Sequence, residues 1–288
     1  MNDVVKQTSV PNNNKNPHKS NSKKRKPKEV ALFGNYKNYY GYRIGQELEE
    51  DPRVKVFRKE WFEGKDCLDI GCNSGLITIN IAKKFSCRSI LGVDIDTDRI
   101  EEAYWNLRRI VRESTSKPPA KASRLKDAKA VEVSDHCVTE SPTEQKGKAG
   151  EGLSPCNLSE RVSFRRENFV QSRISDDKRY HTIMCLSVTK WIHLNWGDEG
   201  LINLFTKIWK LLQPGGMLIL EPQPWSSYAK NHKVSETAKN NYNTIEIFPE
   251  SFQDILLDKI GFRLVEDISC NLSGSKSGFQ RPILAFWK

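Results

Sequence analysis

No stretch of this chain approaches the ~20 consecutive apolar residues that a membrane-spanning helix needs. The opening MNDVVKQTSVPNNNK also lacks the apolar stretch of a secretory signal. The seven cysteines are odd in number and contain no Cys-x-x-Cys pair. That excludes a disulfide framework and a cysteine-based metal site, and fits reduced thiols inside a cell. Apolar residues are scarce, at 37% with a mean hydropathy of −0.62, so part of the length is expected to stay unpacked. Negative charge is the scarcer sign: 36 Asp and Glu face 46 Lys and Arg, leaving +10. This balance favours a polyanionic partner, most simply nucleic acid. The expectation is a soluble, metal-free, monomeric protein.

The shortage of apolar residues is concentrated in two places. Residues 1–30 are mostly Asn, Lys, Pro and Ser and carry the run Lys23-Lys24-Arg25-Lys26-Pro27-Lys28. They predict a disordered basic tail whose basic run serves nuclear import or RNA contact. From Ser114 to Leu158 there is no Phe, Tyr or Trp, and a segment so long and polar predicts a disordered insertion into a single domain at 31–288. Elsewhere short apolar runs alternate with helical patterns. Strands are expected at Cys67–Ile70, Ile90–Val93, Val162–Arg165, His181–Ser187 and Met217–Glu221. Helices are expected at Leu76–Lys84, Thr97–Arg112, Asp198–Leu212 (with Asp198 as N-cap) and Pro249–Ile260. This is an α/β pattern with a mostly parallel, doubly wound, Rossmann-like sheet. The last two runs, Arg263–Ser269 and Pro282–Trp287, lack an intervening helix and predict an antiparallel hairpin at one edge.

Within that pattern Leu68-Asp69-Ile70-Gly71-Cys72-Asn73-Ser74-Gly75 follows a strand and opens a helix. Its glycines let backbone pass close to a ligand, but the spacing is not the Gly-x-Gly-x-x-Gly that cradles a pyrophosphate. Asp94 closes the next strand, where an acid accepts from ribose hydroxyls. A nucleoside ligand without a pyrophosphate satisfies both features, and S-adenosylmethionine is such a ligand. Asn168 and Phe169, after the third strand, suit an adenine contact, and Leu186 a pocket wall.

Asn35-Tyr36-x-x-Tyr39-Tyr40-Gly41-Tyr42-Arg43, LDIGCNSG, GVDID, LSVTKWIHLNWGDEG, EPQPWSSY and GFQRP occur in this order. Together they closely resemble the methylphosphate capping enzymes of small nuclear RNA such as 7SK, the bicoid-interacting-protein type of methyltransferase. The resemblance covers residues 33–112 and 161–288. It implies a class I methyltransferase fold and transfer of methyl from S-adenosylmethionine to the γ-phosphate at a 5′-triphosphate RNA end. It implies a 7SK- or U6-like small non-coding RNA as partner, in a nuclear ribonucleoprotein. By the same resemblance Tyr40, Arg53, Gly71, Cys72, Asn73, Asp94, Ile95, Asn168, Phe169 and Leu186 bind cofactor. Phe169 stands where the family often has tyrosine, which removes any hydroxyl contact there.

A terminal phosphate is already dianionic near neutral pH, its second pKa being about 6, so attack on a sulfonium methyl requires no general base. The site must instead grip the non-attacking oxygens. Lys190 and His193 follow the fourth strand, at whose end ligands of such sheets lie, and are the expected catalytic donors. Arg43 and Arg281 are further phosphate donors, Tyr39 and Tyr42 neutral ones, and Trp225 a candidate for contact with the first base. Two alternatives stay open: a 5′-monophosphate acceptor, and a non-catalytic RNA-binding scaffold. Amino methylation of a base is disfavoured, because a lysine cation is poor chemistry for holding an amine.

Overall fold

Seven strands form one sheet: β1 (Asp66–Ile70), β2 (Ser89–Asp94), β3 (Val162–Arg166), β4 (Tyr180–Leu186), β5 (Leu212–Glu221), β6 (Leu264–Asp267) and β7 (Leu284–Trp287). Their order is β3-β2-β1-β4-β5-β7-β6. The first five run parallel, and β7 lies antiparallel between β5 and β6. The computed structural model describes residues 31–43, 50–116, 155–173, 179–271 and 280–288. The expected tail, its Lys23–Lys28 run, most of the expected insertion and the Tyr42 side chain lie outside the described residues.

Strands β1, β2 and β4 are buried almost throughout, as parallel strands covered on both faces must be. Successive residues serve opposite faces. Cys67, Ile90, Met184 and Ile219 enter one core, with α3 (Leu76–Phe85) and α4 (Thr97–Ser116) over it. Leu68, Leu91, Ile183 and Leu218 enter the other, beneath Leu201, Leu204, Phe205 and Ile208. Truncating one of these Leu, Ile or Met side chains to Ala costs about 2–5 kcal/mol. The outer strands β3 and β6 alternate or are half exposed, as edges are. The β6–β7 pair is the antiparallel edge predicted from the missing helix.

The chain has further helices: α1 (Tyr39–Arg43), α2 (Pro52–Val56), α5 (Pro155–Arg161), the longer α6 (Thr189–Leu211), α7 (Trp225–Asn231) and α8 (Glu236–Thr244). Two expectations change. The helix anticipated from Asp198 is preceded by a further helical stretch from Thr189, the two joined across a kink at Gly197 (φ 63°, ψ −166°), so the tryptophan- and lysine-rich stretch is itself helical. Its amphipathic period is hidden because Trp191, Ile192 and Leu194 are buried on different sides. The segment expected to be structureless from Ser114 is trimmed at both ends, by α4 running to Ser116 and by α5. No helix among the described residues is long and apolar enough to cross a membrane.

Candidate active site

Chain order reverses direction in the sheet between β1 and β4, and ligands of open α/β sheets bind outside the strand ends at that point. Here β1 ends in two left-handed residues, Gly71 (φ 72°) and Asn73 (φ 50°), and Gly75 (φ 71°) precedes α3. A Cβ on Gly71 would lie 2.4 Å from Val188 Cγ2, so only glycine fits beneath the loop that follows β4. That loop is itself left-handed at Ser187 (φ 64°). These two unusual turns pack together and both line one cleft.

Asp94 organises one side of the cleft. Its Oδ2 accepts from the Asn73 amide at 2.9 Å and its Oδ1 from the Asp96 amide at 3.0 Å. Burial pushes its carboxyl up, while those two amides oppose the rise. An ionised carboxylate offers about four acceptor positions, so capacity remains for ribose hydroxyls. Asn35 donates to Asp96, and its own Oδ1 is buried without a partner among the described residues. That orphaned acceptor in the cleft wall fits a ligand carrying donors. Beneath the loop, burial holds the Asp69 carboxyl up at about 6, against a 2.5 Å hydrogen bond from Thr78. The residues present therefore fit a sulfonium nucleoside.

A buried ionic group adjoins the cleft, meeting it at Tyr39, Arg53 and Ser187, while Arg43, Lys190, Glu221 and Arg281 lie behind that lining. Arg43 donates to Glu221 Oε1 at 2.6 Å and Arg53 to Oε2 at 3.0 Å. Arg53 also grips Asp51 through Nε and Nη2 at 3.0 and 2.7 Å. Ser187 Oγ donates to Glu221 at 2.6 Å and accepts from Arg281 at 2.9 Å. Arg43, Arg53, Asp51 and Glu221 are all about 1% exposed or less. Burial pushes the Glu221 carboxyl up, but Arg43, Arg53 and Arg281 outweigh it and hold it below its ordinary value. Within this group Arg43 and Arg53 meet the carboxylates of Asp51 and Glu221, and Arg281 joins them through Ser187.

Lys190 stands beside this group on the first turn of α6. Its Nζ donates to Ser227 Oγ at 2.9 Å and Asn231 Oδ1 at 2.6 Å, and lies 4.3 Å from the centre of the Trp191 ring. None of these partners is anionic. Burial and then the Arg281 charge pull its pKa down from 10.5 to about 7. Gln223 fixes the turn, accepting from Thr189 Oγ1 and the Lys190 amide at 3.1 Å each and donating to the Ser187 carbonyl.

Of the residues expected at the cofactor, Tyr40, Arg53, Gly71, Asn73 and Asp94 line the cleft, as do Ile95, Asn168, Phe169 and Leu186. Cys72 does not. Its amide is spent on the Val93 carbonyl, and its thiol packs against Gly92. Tyr39 also lines the cleft and accepts from Arg43 at 3.1 Å. His193 is brought elsewhere than expected: it is fully buried, with Nε2 on Asp198 at 2.6 Å and Nδ1 on Tyr228 at 3.3 Å. Burial lowers its pKa against the pull of Asp198, so it is neutral and has no nitrogen left for a ligand. Asp198, expected as a cap, instead accepts from His193 and from the Glu246 and Ile247 amides. Trp225 is half-buried, stacked on Tyr242 at 4.7 Å with Tyr228 tilted against it at 5.0 Å, and it does not line the cleft. Asn35, Ser187, Glu221, Gln223 and Asn231 were not anticipated in their roles. Glu221 alone carried a signal, as an acid ending an apolar strand.

A glycine cradle and strand-end acid at the switch point of this sheet define a class I, S-adenosylmethionine-dependent methyltransferase. An O-methyltransferase family protein from Burkholderia thailandensis shares the fold, at TM-score 0.50 and 10% identity, covering 82% of this chain and 55% of that one. Residues 180–288 match the family model of Bicoid-interacting protein 3 (Bin3). An Arabidopsis thaliana protein named probable RNA methyltransferase is 61% identical over 267 residues, 92% of this chain and 83% of its own. The Drosophila melanogaster U6 snRNA methylphosphate capping enzyme Amus is 34% identical, covering 89% and 74%. The human 7SK snRNA methylphosphate capping enzyme is 38% identical over 92% of this chain, which spans only 40% of that protein's length. The chain belongs to the Bin3 family.

Proposed function

We propose that this protein transfers the methyl group of S-adenosylmethionine to the γ-phosphate of a 5′-triphosphate small nuclear RNA, forming a methylphosphate cap. The bound cofactor supplies an electrophilic methyl group to an oxygen anion. What supports the phosphate acceptor is the desolvated Lys190, held by neutral partners beside Arg281 and the guanidinium cluster. A neutral acceptor would leave that desolvated charge unmatched, whereas an anion offsets it. Lys190, Arg281 and the Tyr39 hydroxyl grip non-attacking oxygens. Arg43 and Arg53 act through Glu221 and Ser187 as positioning residues, and His193 locks the turn that presents Lys190. Asp94 and Asn35 hold the ribose, and Phe169, Ile95 and Leu186 wall the adenine. The basic run Lys23–Lys28 supports a nuclear setting, where the RNA and its proteins assemble. The domain plan is a basic tail at 1–30 before one catalytic domain interrupted at 114–158.

The test is transfer of labelled methyl to RNA transcribed with a 5′ triphosphate. Label should appear, and phosphatase treatment of the RNA should abolish it. Equal labelling of phosphatase-treated RNA rejects the phosphate acceptor. Equal labelling of 5′-monophosphate RNA reassigns the acceptor, and cofactor binding without any transfer points to a scaffold.

A further inference from the structure

Helix α7 faces two ways. Inward, Ser227 and Asn231 hold Lys190. Outward, its rings join a column that crosses to α8. Tyr228 lies 5.0 Å from Trp225, Trp225 stacks on Tyr242 at 4.7 Å and 7°, and Tyr242 stacks on His232 at 4.5 Å and 20°. Tyr228 is fully buried and His232 half-buried, so the column runs from core to surface. His232 ends it. Its Nδ1 donates to the Ala229 carbonyl at 2.8 Å, which fixes the ring, and no second ring covers it among the described residues. Lys230 and Lys233 flank it, both exposed. Lys239 lies on α8, paired with Glu236 at 3.3 Å, so three lysines face one acid across residues 225–244.

We infer that His232, Lys230 and Lys233 form the exit platform for the RNA chain. The base of a nucleotide just downstream of the 5′ end stacks on the outer face of His232, and backbone phosphates lie against the two lysines. The inference rests on the phosphate-acceptor reading: Asn231 touches Lys190 and His232 is the next residue, so RNA held by Lys190 begins beside this column. Stacking on a ring is tolerant of base identity. The column holds that ring in place beforehand, so little ordering is lost on binding. Lysines supply point charges suited to a backbone rather than to a base edge.

The experiment measures equilibrium affinity by fluorescence anisotropy on the full chain. It compares a 5′-triphosphate single-stranded RNA of about 20 nucleotides, longer than one such platform spans, with a 5′-triphosphate dinucleotide. His232→Ala should lower the ratio of long-RNA to dinucleotide affinity about five- to tenfold, and His232→Phe, which keeps a ring, should restore most of it. Lys230→Glu with Lys233→Glu should weaken long-RNA binding and flatten its salt dependence by about 0.7 in log–log slope for each phosphate no longer neutralised. An unchanged ratio in both variants overturns the platform. So does a loss of equal size for both ligands with a lowered melting temperature, which would mark the column as a structural staple between α7 and α8. Absence of methyl transfer by the unaltered protein would sink the acceptor reading instead, while the anisotropy ratio still decides the platform.

Discussion

In the proposed reaction, Lys190 is the group through which pH would enter the chemistry. Burial first, and then Arg281, bring its pKa to about 7, so near pH 7 about half the free protein carries a neutral amine. An anionic acceptor selects the protonated form. Acceptor affinity is therefore full below pH 7 and falls as pH rises through it. The phosphate works in the opposite direction, gaining its second charge above about pH 6. The product is a narrow bell in kcat/KM, with a rising limb near about 6 and a falling limb near about 7. Lys190→Arg keeps its charge throughout and should lose the falling limb. Lys190→Ala should lower kcat/KM by about 10²-fold. A profile measured with triphosphate RNA that shows no falling limb in the unaltered protein would remove Lys190 from this role. Its position just past a strand end was legible in the sequence. That of His193 was misjudged, because residue spacing does not tell which face of a helical turn meets the cleft and which meets Asp198.

Among the elements, the glycine loop and the turn after β4 behave as one unit. Gly71 is left-handed, and its Cα approaches Val188 so closely that an added Cβ would sit 2.4 Å from a methyl carbon. Ala at position 71 meets two separable penalties: about 1–2 kcal/mol for the left-handed backbone, and the displacement of Val188 and with it Ser187 and Thr189. Gly71→Ala should therefore lower denaturant stability and weaken cofactor binding by calorimetry. Adding Val188→Ala should recover the steric part and leave the backbone part. Complete recovery would mean the backbone strain is negligible, and no effect of Gly71→Ala alone would contradict the close approach. This loop could be read from sequence because its requirements are local: a strand, glycines at fixed spacing, then a helix. Helices α7 and α8 could not, because α8 is largely polar and the pair is fixed by packing Tyr228 and Ala238 against Leu194. That packing belongs to tertiary structure rather than to a periodic pattern.

The molecule as a whole separates two uses of positive charge. Arg43, Arg53 and Arg281 are spread across most of the sequence, yet they converge on Glu221 and Ser187. The strand order sets Ser187 next to the end of β5, and no spacing rule announces that convergence. The remaining charge was legible at once. Residues 1–28 carry eight Lys and Arg against one Asp, a net +7, so only +3 of the total +10 belongs to the other 260 residues. On the proposed function, the folded part would supply a discrete phosphate site, and the tail most of the long-range attraction for a polyanion. Deleting residues 1–28 should reduce the slope of log affinity against log salt for long RNA, by about 0.7 for each phosphate the tail had neutralised. It should raise KM for that RNA while leaving cofactor affinity and kcat unchanged, because residues 31–288 contain the cleft, both cores and every interaction described around Lys190. A salt titration of binding with the intact and shortened chains decides the matter. An unchanged slope would assign the tail's lysines to import rather than to the RNA, and a fall in kcat would mean the tail reaches the catalytic cleft itself.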